Sequence, residues 1–186
     1  MAKVQNNLIT QGLSGSLGNQ IVFRQGKGGQ TIVSVKPASS TERDFNPNQL
    51  AQQQAFRNAI AYAKSAKDEV TYLTKAQGTT MSAFNAAVAD WFKEPEVLEI
   101  DASAWTGTAG QIIRVKAQDD TQVTKVHVSI DDGQGVIFEQ GNAVQADGLW
   151  WEYTTTTVVA QSPAPRVTAT AQDLPGNNGT LVWQNN

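Results

Sequence analysis

A glycine ladder, a sparse basic arm, several acidic turns, one histidine and scattered tryptophans are where this chain could do chemistry. Gly12, Gly15 and Gly18 stand three apart. Backbone N–H groups that converge in a glycine-rich loop can cradle a phosphate. This spacing, however, is neither GxGxxG nor GxxxxGK[ST], and a strand-like run follows it rather than a helix. Tight-turn glycine is the expectation.

Lys3, Arg24, Lys27 and Lys36 are the only charges in the first forty-one residues. A nucleic-acid binder would use such an arm on phosphates, with Arg24 on the first strand run and Lys27 in the glycine-rich loop after it as the candidate contacts. Four charges are few, and Phe23 is the one aromatic there for base stacking. The competing reading is a solvated edge on which cations discourage strand-to-strand aggregation.

The acids Asp119-Asp120, Asp131-Asp132, Glu139, Asp147 and Asp173 fall in or near turns. Gathered at one end of a fold, they could hold structural calcium, which takes six to eight oxygens. Asp119, Asp120 and Asp173 are the candidate ligands, and Asp119 with Asp173 is the pair to test. No EF-hand pattern is present, and turn acids also serve their own backbone. No other cofactor is expected.

His127 lies between Val126 and Val128 on an alternating run, so it points away from their shared face. Paired carboxylates for glycoside hydrolysis are a poor fit to small strands rich in threonine. The expectation is no enzyme. Trp150 and Trp151 are adjacent and face opposite ways on a strand, with Trp151 and Tyr153 inward. Trp150 is then an outward contact residue for a protein interface or a sugar, and Trp105 is a second candidate.

The chain that must position these residues has 186 of them, 40% hydrophobic and 17% charged, enough to bury a core. Cysteine is absent, which removes disulfides, thiolate metal sites and cysteine nucleophiles. The single histidine rules out a multi-histidine metal centre. Net charge is −3, but unevenly spread: +4 up to Pro95 and −7 after it. No apolar run approaches the ~20 residues that span a bilayer. Met1 to Asn7 leads into no apolar stretch of a signal peptide, and the compartment stays open.

Ile21–Gln25 and Thr31–Lys36 are β-branched runs around Gly26-Lys27-Gly28-Gly29-Gln30, a hairpin that must dock on something. Asn46 suits an N-cap, Pro47 the first helical position, and Gln49 completes a capping box. Phe56, Ala59, Ile60 and Ala63 share one helix face. A second helix is expected over Lys67 to Gln77 with Val70 and Leu73 inward. A third starts near Thr80 with Met81, Phe84, Val88 and Trp91 on one side. From residue 97, strands alternate around Val115, Val128, Trp151, Ala169 and Leu181, about seven in all. The fold class is therefore α+β: residues 1–95 a β-hairpin with a three-helix unit, residues 96–186 an antiparallel β-sandwich.

Two stretches carry resemblances. Val167-Thr168-Ala169-Thr170-Ala171-Gln172-Asp173-Leu174-Pro175-Gly176-Asn177 resembles the last-strand signature V-x-A-x-A-x-D-x-x-G-N of bacterial immunoglobulin-like repeats. Ala117-Gln118-Asp119-Asp120 with Val123 and Val126 resembles their earlier A-x-D-D…V-x-V pattern. Leu13 to Gln25 and Ser82 to Phe92 resemble the LSGxLGNxVFxQ and SAYNxAVADFF segments of an uncharacterised bacterial two-domain family. These resemblances imply an immunoglobulin-like C-terminal domain and no activity. The expected role is non-catalytic: a structural or interaction protein, part of a phage-like or cell-surface assembly, with a protein partner or self-association. The alternatives are nucleic-acid binding through the basic arm and carbohydrate binding.

Overall fold

The computed structural model describes residues 2–4, 9–18, 20–26, 29–36, 45–161 and 164–184. The chain is α+β and divides into two compact units. One comprises Met1–Asn58 with Ala76–Ser82, the other Ala59–Lys75 with Ala83–Asn186.

Among its described residues the first unit holds four short strands, β1 (Ala2–Val4), β2 (Gly15–Leu17), β3 (Ile21–Gln25) and β4 (Thr31–Val35), in the antiparallel order β1-β4-β3-β2. The expected hairpin is β3–β4, in register from Ile21 opposite Val35 to Gln25 opposite Thr31. Its neighbours β1 and β2 are three residues each, too short for alternation to announce. Gly12, Gly15 and Gly18 all adopt positive φ, as tight turns require. Thr31 is buried, and its hydroxyl donates to the Thr10 carbonyl at 2.9 Å.

Register sorts this sheet into two faces. Leu17, Ile21 and Val35 stand opposite one another across three strands, and Phe23 faces Val33 two residues on. That face is apolar. The other carries Lys3, Ser16, Val22, Arg24, Ile32 and Ser34. On the apolar face Ile21, Phe23 and Val33 are only half-buried, and Leu17 and Val35 are 64% and 79% exposed.

Helix α1 (Pro47–Ala66) starts where its capping box predicts. The Gln49 N–H donates to Asn46 Oδ1 at 2.9 Å, and the Asn46 N–H donates back to Gln49 Oε1 at 3.1 Å. The covered stripe is Ala59, Ala63 and Ala66. Phe56 lies one turn too early and is 52% exposed.

In the second unit, α2 (Val70–Ala76) and α3 (Ala83–Trp91) join the end of α1. Tyr72, not the expected Val70 or Leu73, is the inward residue of α2; the latter two are exposed. Its ring fills the space between Ala63, Ala66, Ala86 and Ala87, and Leu174 from the turn after a later strand packs against them. The end of α1, most of α2 and all of α3 therefore group with the strands that follow.

Eight strands follow: β5 (Glu96–Asp101), β6 (Ile112–Gln118), β7 (Val123–Asp131), β8 (Ile137–Asn142), β9 (Val144–Gln145), β10 (Trp150–Thr154), β11 (Arg166–Asp173) and β12 (Asn178–Gln184). They form two antiparallel sheets, β5-β6-β10-β9 and β12-β11-β7-β8. Val97, Ile113, Val115 and Trp151 from the first sheet and Val126, Val128, Val167 and Ala169 from the second share one core. Strict alternation on β6 and β11 produces this, buried and outward residues taking turns. β5 was not readable because a bulge between Val97 and Glu99 places its buried residues, Val97 and Ile100, three apart.

Candidate functional site

The chemistry concentrates where the helices of the second unit meet the turn after β6. Asp90 follows Ala86 and Ala87 at i+4 and i+3, so it shares their inward helix face. It is fully buried. The Tyr72 hydroxyl donates to Asp90 Oδ2 at 2.5 Å, and the Tyr62 hydroxyl lies 2.8 Å from that of Tyr72. Because Tyr72 gives its proton to Asp90, Tyr62 donates to Tyr72. The two tyrosine rings meet edge to face, and Tyr62 also leans on Trp91 at 5.3 Å.

Across from this chain, Asp119 Oδ2 accepts the backbone N–H groups of Thr121 and Gln122, both at 2.9 Å. Lys75 Nζ donates to Asp120 Oδ2 at 2.8 Å, to the Asp120 carbonyl at 2.9 Å and to Thr121 Oγ1 at 2.6 Å. Lys93 stands 3.7 Å from Asp120 Oδ2. One carboxylate oxygen from each of Asp90, Asp119 and Asp120 comes within 4.8 Å of the others. Asp90 Oδ1 and Asp119 Oδ1 are buried without a hydrogen-bond partner. A groove of about 320 Å³ opens beside them, lined by Lys93, Glu94, Glu96, Gln118, Asp119 and Asp120.

Burial pushes the Asp90 carboxyl above the usual carboxylate range. The Thr121 and Tyr72 hydroxyls favour its charge, while the charges of Asp119 and Asp120 oppose it. The Thr121 hydroxyl is near enough to matter electrostatically but does not complete a hydrogen bond to Oδ1. Tyr72 is held well above an ordinary tyrosine, first by burial and then by its bond to Asp90.

The structure brings Asp119 and Asp120 together and adds Asp90, but it keeps Asp173 out of the trio. Asp173 Oδ1 accepts the backbone N–H groups of Gly176 and Asn177 at 2.8 and 2.6 Å, and Oδ2 takes Asn177 Nδ2 at 2.8 Å. The β11–β12 turn consumes both oxygens, so the expected pairing of Asp119 with Asp173 gives way to Asp119 with Asp90. The signal for Asp90 was present in the sequence: a carboxylate at helical spacing from two small apolar residues.

The other acids do not converge. Asp131 is tied to Arg166 Nε at 2.9 Å and to the Gly133 N–H at 2.6 Å. Glu139 Oε2 accepts four bonds, from the N–H and hydroxyl groups of Thr156 and Thr157, at 2.7–2.8 Å. Burial pushes this carboxyl up, but the four donors outweigh it and hold it below its ordinary value. Its stabilising contribution is therefore full above the ordinary glutamate range and is lost as pH falls through the depressed folded value. Glu139→Gln should destabilise the protein by about 2 kcal/mol at pH 7, since charge-assisted bonds are worth roughly 1.5–3 kcal/mol. The gap between variant and parent should narrow in melts taken below pH 4, and a pH-independent gap would refute this account.

Trp105 is corrected: it is 4% exposed and sits in the sheet core, out of reach of any surface partner. Trp150 does face outward, half-buried, with Arg114 4.8 Å and Lys116 5.7 Å from its ring centre. Glu152 holds Arg114 at 3.4 Å. Two cations occupy the ring, which leaves it a poor platform for stacking a sugar. Arg24 is exposed on β3; Lys27 lies outside the described residues. His127 is half-buried, its Nδ1 3.1 Å from Asn142 Oδ1. Among the described residues, no helix is long and apolar enough to cross a membrane.

No protein-family model matches the chain, and no curated protein does. Among solved structures, an engineered protein is 21% identical with a TM-score of 0.31, over 55% of this chain and 26% of that one. The chain thus spans about a quarter of that protein's length. A conjugative transposon lipoprotein from Bacteroides eggerthii DSM 20697 is 15% identical with a TM-score of 0.25, over 50% of this chain and 96% of that one. Likenesses this partial carry no argument about fold or role.

Proposed function

We propose that this is a non-catalytic structural or interaction protein: an immunoglobulin-like sandwich linked to a small basic unit whose sheet is completed by a protein partner. Strand order supports the first part. Lettering β5 to β12 as A, B, C, C′, D, E, F and G gives ABED in one sheet and GFCC′ in the other, the immunoglobulin arrangement.

The observation that carries the second part is the apolar face of β2-β3-β4, which is exposed at Leu17 and Val35. An antiparallel sheet ordinarily buries one face and wets the other. Here Leu17, Ile21, Phe23, Val33 and Val35 line one side, and Leu17 and Val35 are exposed. Leaving such a face in water costs roughly 25 cal/mol per Å² of apolar surface. A covering protein surface removes that cost.

Charge favours a second copy of this chain as the cover. The first unit has six basic and two acidic residues, the second eight basic and fifteen acidic. Opposite surfaces on one chain attract between copies and fix which end meets which. Leu17→Lys with Val35→Lys replaces two exposed side chains and should leave the thermal melt unchanged. Sedimentation should then show a smaller species than the parent. An identical distribution for parent and variant would remove this face as the interface.

A further inference from the structure

We propose that Asp90, Asp119 and Asp120 form a calcium-binding site in the second unit. It stands apart from the proposed assembly and rests on different observations. The donor set is all carboxylate, which suits a hard cation. Ca²⁺ holds oxygens at about 2.3–2.6 Å, so oxygens up to about 5 Å apart can share one ion. The three here lie within 4.8 Å of one another. Mg²⁺, at about 2.0–2.1 Å, demands near-octahedral geometry and keeps its waters, so an irregular carboxylate trio suits it less.

Proximity of acids alone would carry little. The independent observation is that Asp90 is fully buried and its Oδ1 has no partner. Asp119 Oδ1 is in the same condition. Buried polar atoms ordinarily have a donor, a water or an ion beside them, so each bare oxygen calls for a partner; Glu139 Oε1 is bare as well, but only here do two such oxygens belong to neighbouring carboxylates. Lys75 does not relieve them. Its three donors are already committed to Asp120 Oδ2, the Asp120 carbonyl and Thr121 Oγ1. Lys93 reaches only toward Asp120 Oδ2, at 3.7 Å, and its side chain is 63% exposed. Three carboxylates against the Lys75 and Lys93 ammonium groups leave one surplus negative charge, which a cation offsets. The groove beside Asp119 and Asp120 gives the ion a way in and leaves space for the waters that complete its shell.

The test is titration calorimetry of the full chain, stripped with EDTA and dialysed, against CaCl₂, with MgCl₂ in parallel. One Ca²⁺ should bind per chain, more tightly than Mg²⁺, and raise the melting temperature. Asp119→Asn should weaken Ca²⁺ binding by about tenfold or more, while Asp173→Asn leaves it unchanged. Should Asp119→Asn fail to fold in EDTA, Asp120→Asn takes its place in the same comparison. No heat and no change in melting temperature at millimolar Ca²⁺ would overturn the proposal and assign the bare oxygens to buried water. Binding that survives the Asp119 or Asp120 replacement, or that is lost with Asp173→Asn, would overturn it equally.

Discussion

Replacing Gly179 with alanine is expected to cost about 3 kcal/mol or more, and to lower the melting temperature by roughly 10 °C. A Cβ at this position would stand 1.7 Å from the Pro95 carbonyl oxygen and 2.8 Å from the Pro95 carbonyl carbon. Both are backbone atoms, so no side chain can swing aside. Gly179 pairs with Ala171 inside the β11–β12 ladder, and Pro95 leads directly into β5. Relief therefore requires one strand to pull away from its sheet or the other to shift at its start. Glycine inside a strand marks such a close backbone approach. Thr180, the exposed neighbour, is the control: Thr180→Ala should stay within about 0.5 kcal/mol of the parent. Equal melts for the two variants would mean that the chain does not close tightly at Pro95.

The second large effect belongs to Tyr72. Tyr72→Phe keeps the ring and removes the hydroxyl that donates to Asp90 and receives from Tyr62. It should cost about 2–3 kcal/mol, because a buried carboxylate loses its donor. Tyr72→Ala also empties a fully buried ring site and should cost roughly 5 kcal/mol. Asp90→Asn combined with Tyr72→Phe should cost less than the two single changes together, since each removes the same bond. Strict additivity, or a Tyr72→Phe variant as stable as the parent in a urea titration, would contradict the picture of a coupled Tyr62–Tyr72–Asp90 chain.

Tyr72 also shows where a one-dimensional reading stops. Spacing found the helix but turned it toward Val70 and Leu73, the more apolar residues. A seven-residue helix presents few positions, and the one with a polar tip is inside because Asp90 satisfies that tip. Composition alone cannot weigh a hydroxyl against a partner eighteen residues away. The capping box at Asn46 and Gln49 was fully legible, because both of its bonds are local. The strands β6, β7, β10, β11 and β12 were legible from strict alternation. The bulged β5 and the two-residue β9 were not.

The acidic site was half legible. Asp119 and Asp120 announce themselves as a pair in a turn. Their third member depends on how α3 packs, which no local pattern encodes. Asp173 looked equivalent in sequence, but the N–H groups of its own turn take up its oxygens. Trp105 misled for a related reason. An aromatic between turn-like residues reads as surface, and only the closed core shows that it is enclosed.

The reading of this chain as an assembly component turns on the apolar face of β2-β3-β4, exposed at Leu17 and Val35. The most direct measurement is absolute mass by light scattering on a sizing column, at physiological salt and over a wide concentration range. The expected result is a multiple of 20.0 kDa that falls toward 20.0 kDa on dilution and at high salt, as charge-guided association requires. A constant 20.0 kDa at every concentration would contradict self-association through that face.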